Sequence, residues 1–380
     1  MKIVQVVHSF EPTSGGMESA VYSLSMALGK LGHDVTVITT QEKGKLDYEV
    51  INGVKVKRIW SLHFPLFSSI RFSPGLLRLV LDTDADVIHA HGYATPHSFF
   101  AGLAAVLKHT PFVFTFHGYH RFRFGVEWMF HSAYKLLLAP LFFSWTQKVI
   151  SVAAATVPLI KGQVRESKIV IIPNGVDTET ARCIDATKLR AELASGDGPV
   201  ITYVGRLDKY KGIDTLIEAF AKLKKDFPSA ALVISGRDEG IGKDLRQLAE
   251  SFGVAPIFTF HPSDKMSELY SASDVVVLPS RYEGLSLVVL ETIACGKPII
   301  TTPTGDSEKV LKEAYGKAAG DFIFPIGDSN SLYQKCCSVL KNKKRYEKML
   351  ENGSKYLIQN YSWDSVAKRT VDVYKNVMKK

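Results

Sequence analysis

The stretch Leu278–Gly296, LPSRYEGLSLVVLETIACG, decides the fold. It continues the apolar run Val275-Val276-Val277-Leu278, which has the length and branching of a buried strand. Pro279-Ser280 ends that strand. Gly284 permits close approach of backbone, and Ser286 stands where an N-cap is needed. Leu287, Leu290, Ile293 and Ala294 recur at helical spacing, and Gly296 with Pro298 marks the stop. The segment reads strand, loop, helix, with Glu283 in the loop and Glu291 in the helix. Amides at such a start, those of Gly284, Leu285 and Ser286, suit a phosphate, and the helix dipole adds to the preference.

The spacing of the two glutamates limits their chemistry. Eight residues of helix span about 12 Å. A glycosidase carboxylate pair needs roughly 5 to 9.5 Å. Glu283 and Glu291 therefore fit the two ends of one extended ligand better than a hydrolytic pair. A nucleotide-diphosphate sugar has that layout. Spacing alone leaves open that both are ordinary solvated carboxylates.

Working outward, the second half repeats strand and helix. Val200–Val204 reads as a strand, followed by the basic loop Gly205-Arg206-Leu207-Asp208-Lys209-Tyr210-Lys211-Gly212 and a helix from Ile213. Ala231–Ile234 is a strand ending at Ser235-Gly236. Leu245–Phe252 reads as a helix, and Ile257–Phe260 and Pro298–Thr301 as strands. Loops that follow parallel strands open to one edge of the sheet. Arg206 and Lys211 would then face the helix start at Gly284–Ser286, and two cations there would hold a diphosphate and stabilise its departure. An exposed basic loop is the plain alternative.

The first half has the same grammar. Ile3–Val7 is a strand, His8–Gly16 a loop ending in Gly15-Gly16, then a helix to Gly32 and a strand Asp34–Thr39. No G-x-G-x-x-G is present, so there is no dinucleotide fingerprint. Tyr48–Ile59 reads as a strand pair turning at Asn52-Gly53. Asp86–Gly92 and Phe112–Phe116 read as strands that bring His89, His91 and His117 towards their carboxyl ends, where open parallel sheets bind ligands. His89 and His91 lack a third ligand at zinc spacing; hydrogen-bonded structural histidines are the alternative. Val149–Val152 and Ile169–Ile172 complete the strands. Residues 178–198 are polar and end in Gly196-Asp197-Gly198-Pro199, which reads as a linker. The domains are then 1–177, 199–361, and a last helix 362–380.

Tyr119–Trp145 mixes Arg121, Arg123 and Lys135 with Phe122, Trp128, Phe130, Leu136, Leu137, Phe142 and Phe143. It reads either as ordinary helix packing or as contact with an anionic membrane or acceptor. No run is long enough to span a bilayer. The N-terminus MKIVQVVHSFEP opens like a strand and its apolar part is too short for a signal h-region. A net charge of +9 favours anionic partners, nucleotides and acidic lipid among them, or serves solubility. No nucleic-acid recognition motif accompanies it. The cysteines, Cys183, Cys295, Cys336 and Cys337, form no C-x-x-C pair, which fits a reducing, cytoplasmic compartment.

With these residues in view, the chain resembles the retaining GT-B glycosyltransferases of family 4, the glycosyltransferase group 1 with an E-x7-E motif, nearly end to end. Glu283 and Glu291 meet that motif within PSRYEGLSLVVLETIACGKP. GRLDKYKG matches the diphosphate loop, and PNGVD, Gly15-Gly16 and TFHG at Thr115–Gly118 match further segments. The resemblance implies an α/β fold of two Rossmann-like parallel-sheet domains facing across a cleft, the last helix crossing back to the first domain. It implies transfer of a hexosyl unit, with retention, from GDP-mannose or a UDP-hexose to a hydroxyl of a glycan or lipid-linked acceptor. Glu283 would hold donor-sugar hydroxyls and Glu291 the ribose. Arg206 and Lys211 would bind the pyrophosphate, with Gly205 and Gly236 close to it. Gly15 and Gly16 would let backbone approach the diphosphate, and His117 would lie beside the transferred sugar once the cleft closes. No metal and no cofactor are implied, and the enzyme would work in the cytoplasm, at the inner membrane face if 119–145 binds there. One departure is Pro303-Thr304-Gly305-Asp306-Ser307-Glu308, which lacks one glycine and the proline of the family's Gly-Gly…Pro-Glu pattern. Two rivals share these features: a nucleotide-sugar epimerase of GT-B architecture, and a catalytically silent nucleotide-sugar-binding protein.

Overall fold

The structure is a computed structural model. It describes every residue except 11–14, 43, 65–66, 119–128, 130–131, 179–181, 195, 260–265 and 380. The Pro12–Ser14 part of the first loop, Phe260 and most of the basic aromatic stretch 119–131 lie outside the described residues. The chain forms two compact units: Met1–Gly175 with Trp363–Lys380, and Val176–Ser362.

Unit 1 is built on β1 (Lys2–Val6), β2 (Asp34–Thr40), β3 (Tyr48–Ile51), β4 (Val54–Ile59), β5 (Leu62–Phe64), β6 (Phe67–Phe72), β7 (Val87–His91), β8 (Phe112–Phe116), β9 (Lys148–Ser151) and β10 (Ile169–Ile171). Eight of these make one sheet in the order β10-β9-β8-β7-β1-β2-β4-β3. Every pairing in it is parallel except β3 on β4. β7 and β8 are buried at every residue and β1 at all but Lys2, as parallel strands covered on both faces are. Asn52 and Gly53 both adopt positive φ, 47° and 84°, which is the hairpin geometry their sequence calls for. Leu62–Phe64 and Phe67–Phe72 make the small antiparallel pair β5-β6. The helix Trp363–Met378 belongs to this unit: it packs on the helix Gly16–Lys30 and buries Val366, Ala367, Val371 and Tyr374.

Unit 2 is a five-stranded parallel sheet, β13-β12-β11-β14-β15, made of β11 (Val200–Val204), β12 (Ala231–Ser235), β13 (Ile257–Thr259), β14 (Val275–Leu278) and β15 (Ile299–Thr301). The polar segment 178–198, expected as a linker, lies in this unit. Its Thr187–Leu193 helix packs on the helix Met266–Ala272, with Ala186 and Leu193 joining Val200, Val233 and Leu269 in one core. Arg190 fixes it further, donating to the Ala272 carbonyl and pairing with Asp274 at 2.8 Å. The change of unit falls earlier, inside the Pro173–Asp177 turn.

Both sheets are wound the same way. In unit 1 the chain proceeds from β1 to β2 on one side and returns to β7 on the other. In unit 2 it proceeds from β11 to β12 and returns to β14. Ligands of open parallel sheets sit outside the carboxyl ends of the strands at such a reversal. That rule selects the loops after β1 and β7 in unit 1, and those after β11 and β14 in unit 2.

Candidate active site

In unit 2 the two loops at the reversal carry Arg206, Lys211 and Glu283. Gly205 follows β11 and Gly236 follows β12. They are packed back to back: a Cβ on Gly236 would stand 1.8 Å from the Gly205 carbonyl oxygen. The buried Tyr203 hydroxyl donates to the Arg206 carbonyl at 2.8 Å and shapes the turn below the guanidinium. The Arg206 side chain is 40% exposed and pairs with Asp208 at 3.3 Å. Lys211 is more enclosed. Its Nζ donates to Glu283 Oε1 at 2.6 Å, and Ser280 Oγ donates to the same oxygen at 2.7 Å. An ammonium has three donors, so Lys211 can hold Glu283 and a second anion together.

The helix expected after this loop spans Leu287–Ala294. Ser286 takes the extended N-cap conformation, but its side chain makes no capping hydrogen bond. Ser286 therefore marks the helix start by its backbone conformation and not by a side-chain cap. Opposite lies the departing segment 303–308. Gly305 has φ +59°, and a Cβ there would stand 1.8 Å from the Gly284 carbonyl oxygen. Asp306 N–H donates to that oxygen at 3.0 Å. The single glycine that survives in the shortened motif is the one that sits against the Glu283-Gly284 backbone.

Glu291 lies one turn into the helix. The buried Tyr270 hydroxyl donates to its Oε2 at 2.7 Å. Burial raises the carboxyl above the usual carboxylate range; the Tyr270 hydrogen bond opposes that shift and the charge of Asp177 adds to it. Three partners here escaped sequence reading. Tyr270 is one and Tyr203 another. The third is Arg281, which binds Asp214 through both nitrogens, at 2.9 and 2.6 Å, and donates to the Lys209 carbonyl. Its own N–H reaches the Tyr210 carbonyl at 2.7 Å. Arg281 thus ties the Glu283 loop to the Arg206–Lys211 loop. Its position two residues before Glu283 was the only sequence signal.

In unit 1 the three strand-end histidines form one buried chain with Gln5 and Tyr374. His89 binds the Tyr374 hydroxyl and Thr115, each at 2.6 Å. His91 Nε2 meets Gln5 Oε1 at 2.6 Å, and His91 Nδ1 meets His117 Nε2 at 3.2 Å. An amide oxygen only accepts, so the His91 proton is on Nε2. Its Nδ1 accepts in turn, and the His117 proton is on Nε2. His117 Nδ1 is then the lone-pair nitrogen. Burial lowers His117 to about 4 and His89 to about 3, so both are neutral at pH 7. His89 and His91 each use both ring nitrogens on protein partners, the structural arrangement rather than a ligand set.

Gly15 and Gly16 start the first helix. A Cβ on Gly15 would meet the Glu18 carboxylate at 2.2 Å, whereas the Cβ position of Gly16 has nothing within 4 Å. Ser9 Oγ donates to Glu18 Oε1 at 2.6 Å and holds it over Gly15.

Two family models match the chain: "Glycosyl transferases group 1" over residues 185–369 and "Glycosyltransferase Family 4" over residues 14–180. An uncharacterised glycosyltransferase of Methanocaldococcus jannaschii is 31% identical over 100% of this chain and 99% of its own. The chain belongs to the group 1, family 4 glycosyltransferases. The glycosyltransferase is also 25% identical to the GPI3 subunit of phosphatidylinositol N-acetylglucosaminyltransferase of Saccharomyces cerevisiae, over 99% of this chain and 83% of that one. Among solved structures it superposes on Anabaena HepE in complex with UDP and glucose with a TM-score of 0.80, 20% identity and 99% of both chains covered. The fold is GT-B.

The basic aromatic stretch divides in this glycosyltransferase. Phe142 and Phe143 are buried in the unit 1 core, while Leu136 and Leu137 are 76% and 69% exposed, with Leu138 and Leu141 exposed beside them. Among the described residues no helix is long and apolar enough to cross a membrane.

Proposed function

We propose that the enzyme transfers a hexosyl unit from a nucleotide-diphosphate sugar to a hydroxyl of a glycan or lipid-linked acceptor, with retention at the anomeric carbon. The observation that carries this reading is the convergence of Arg206, Lys211, Glu283 and the start of the Leu287–Ala294 helix at the strand-order reversal of unit 2. Arg206, Lys211 and the amides of Gly284, Leu285 and Ser286 hold the diphosphate and stabilise the charge it gains on leaving. Glu283, fixed by Lys211 and Ser280, accepts from the sugar hydroxyls, and Glu291, fixed by Tyr270, from the ribose. Positive charge comes from side chains in this reading, so neither metal nor cofactor is invoked. The acceptor oxygen bonds to the anomeric carbon on the face from which the diphosphate leaves, and the acceptor proton passes to the departing phosphate. For Gly15, Gly16 and His117 the reading is the one the family resemblance implies: open backbone at the start of the first helix, and a neutral imidazole whose Nδ1 accepts from a hydroxyl of the substrate. The exposed leucines 136–138 and 141 with Lys135 suit peripheral contact with an anionic membrane surface at the cytoplasmic face, and the phosphatidylinositol in the name of the GPI3 relative supports a lipid-linked acceptor.

The test is a ligand-induced melting shift with GDP-mannose, UDP-glucose, UDP-N-acetylglucosamine and UDP-galactose, with Arg206→Ala as control. A donor at a hundred times its Kd adds about 2.7 kcal/mol to the native state. A shift with one donor, lost in the control, is expected. No shift with any donor would overturn the unit 2 site. Donor turnover without acceptor would favour an epimerase, and an inverted product would sink retention.

A further inference from the structure

Cys183 and Cys295 are 112 positions apart in sequence and both lie in unit 2, with their sulfurs 3.2 Å apart. A disulfide bond is about 2.05 Å, so closing it takes a movement of about 1.2 Å. Cys295 Sγ–H donates to Cys183 Sγ, and Cys183 Sγ–H to the Cys295 carbonyl at 2.9 Å. Cys183 is exposed and Cys295 is buried. The hydrogen bond from Cys295 holds the Cys183 thiol down at about 6 against the effect of burial, and Ser271 and Lys297 assist. The same bond and burial push Cys295 far above the thiol range. Cys183 is therefore the accessible thiol that ionises first, losing its hydrogen bond to the Cys295 carbonyl when it does, and Cys295 is the protonated, sheltered partner in contact with it.

The pair sits behind Glu291. Cys295 ends the helix that carries Glu291, and its N–H donates to the Glu291 carbonyl at 2.9 Å. Ser271 Oγ is 3.7 Å from Cys295 Sγ and accepts from Ile184 N–H at 3.0 Å. Ser271 follows Tyr270, which holds the Glu291 carboxyl. Joining the sulfurs pulls on both ends of that arrangement.

We propose that Cys183 and Cys295 are a reversible disulfide site, formed by a hydroperoxide-class oxidant and coupled to the Glu291 end of the nucleotide site. The Cys183 thiolate attacks one peroxide oxygen; the O–O bond breaks, Cys183 becomes a sulfenic acid, and hydroxide leaves as water after taking a proton. The Cys295 sulfur then attacks the Cys183 sulfur. The S–S bond forms, the S–O bond breaks, and the Cys295 proton leaves with the hydroxyl as a second water. Two thiols lose two electrons and the peroxide gains them. A reductant reverses the bond by thiol exchange.

The test is peptide mapping of the full chain after equimolar hydrogen peroxide, without reductant. A peptide joining Cys183 to Cys295, lost on reduction and absent from Cys183→Ser, is expected. In Cys295→Ala, dimedone should trap a sulfenic acid at Cys183. Cys183 found as sulfinic acid with Cys295 still alkylatable, or both thiols unchanged, overturns the site. The coupling rests on the Glu291 reading above. Donor affinity should fall at least about five-fold in the oxidised protein and stay unchanged in peroxide-treated Cys183→Ser. Equal affinities in reduced and oxidised protein overturn the coupling. A reduced protein that binds no donor counts instead against the unit 2 site, and the mapping decides the disulfide in either case.

Discussion

The two units reverse strand order in the same way and fill the reversal with opposite chemistry. Unit 1 buries Gln5, His89, His91 and Tyr374 in an uncharged chain of hydrogen bonds that ends at His117. Unit 2 leaves ions at the edge: Arg206 with Asp208, Lys211 with Glu283, Arg281 with Asp214. The difference follows from solvent. A buried polar group must be matched by a partner and is best neutral. An ion pair that keeps some contact with solvent, as the Arg206 and Arg281 pairs do, costs little and can trade its partner for a ligand. Unit 1 therefore offers a fixed acceptor nitrogen, and unit 2 offers exchangeable charge.

Acid should separate the two most strongly. Burial holds His89 and His97 at about 3 and His117 at about 4, and lowers His91 well below its usual value. Each binds a proton in the unfolded chain below about pH 6.5 but not in the folded one. The unfolded state then holds more protons, so stability is complete above that pH and falls as acid approaches the folded values. His89 alone accounts for on the order of 5 kcal/mol over its window. Unit 2 contains one histidine, His261, outside the described residues, and its raised Glu291 carries the opposite sign: the folded state takes up that proton first. Trp60, Trp128, Trp145 and Trp363 all fall in the sequence ranges of unit 1, so tryptophan fluorescence reports that unit. Urea midpoints from fluorescence should drop between pH 7 and 4.5 while part of the circular-dichroism signal keeps its midpoint. A common drop in both signals would break the comparison.

The next effect belongs to unit 2. Gly305→Ala adds a Cβ at φ +59° against the Gly284 carbonyl. The strain and overlap should cost about 2 to 4 kcal/mol. Circular-dichroism melts should show a destabilised unit 2 with the fluorescence midpoint unmoved, and the donor shift should be reduced. An unchanged melt would mean that the 303–308 segment gives way, and that the glycine does not hold the Glu283 loop.

What the sequence allowed one to read divides along the same physical line. Val275–Leu278 and the Leu287–Ala294 helix were legible because strand and helix periods are local. So was the Asn52-Gly53 turn, which needs two positive φ angles. Glu283, Arg206 and Lys211 could be placed on facing loops because parallel strands end at one edge. The partners that fix the site were not legible. Arg281 and Asp214 are 67 residues apart, and Tyr374 and His89 are 285 apart. No local pattern encodes such pairs; packing selects them. Residues 178–198 misled for a related reason. Their polarity is that of a surface segment, and only the contacts of Ala186, Arg190 and Leu193 make them part of unit 2.

The smallest effects come from one substitution made in both units. Tyr374→Phe removes the hydroxyl that meets His89 Nδ1 and leaves that nitrogen unmatched inside unit 1. The cost should be about 1 to 3 kcal/mol in the fluorescence melt, with no change in donor affinity. Tyr270→Phe removes the hydroxyl that donates to Glu291 Oε2 in unit 2. Here the stability change should be about 1 kcal/mol. The larger consequence should be for ligand: Glu291 loses its orientation, and the donor KM should rise several-fold with kcat nearly constant, as expected for an interaction made equally in ground and transition states. A fall in kcat at unchanged KM would move Glu291 from ribose binding to the reacting end of the donor.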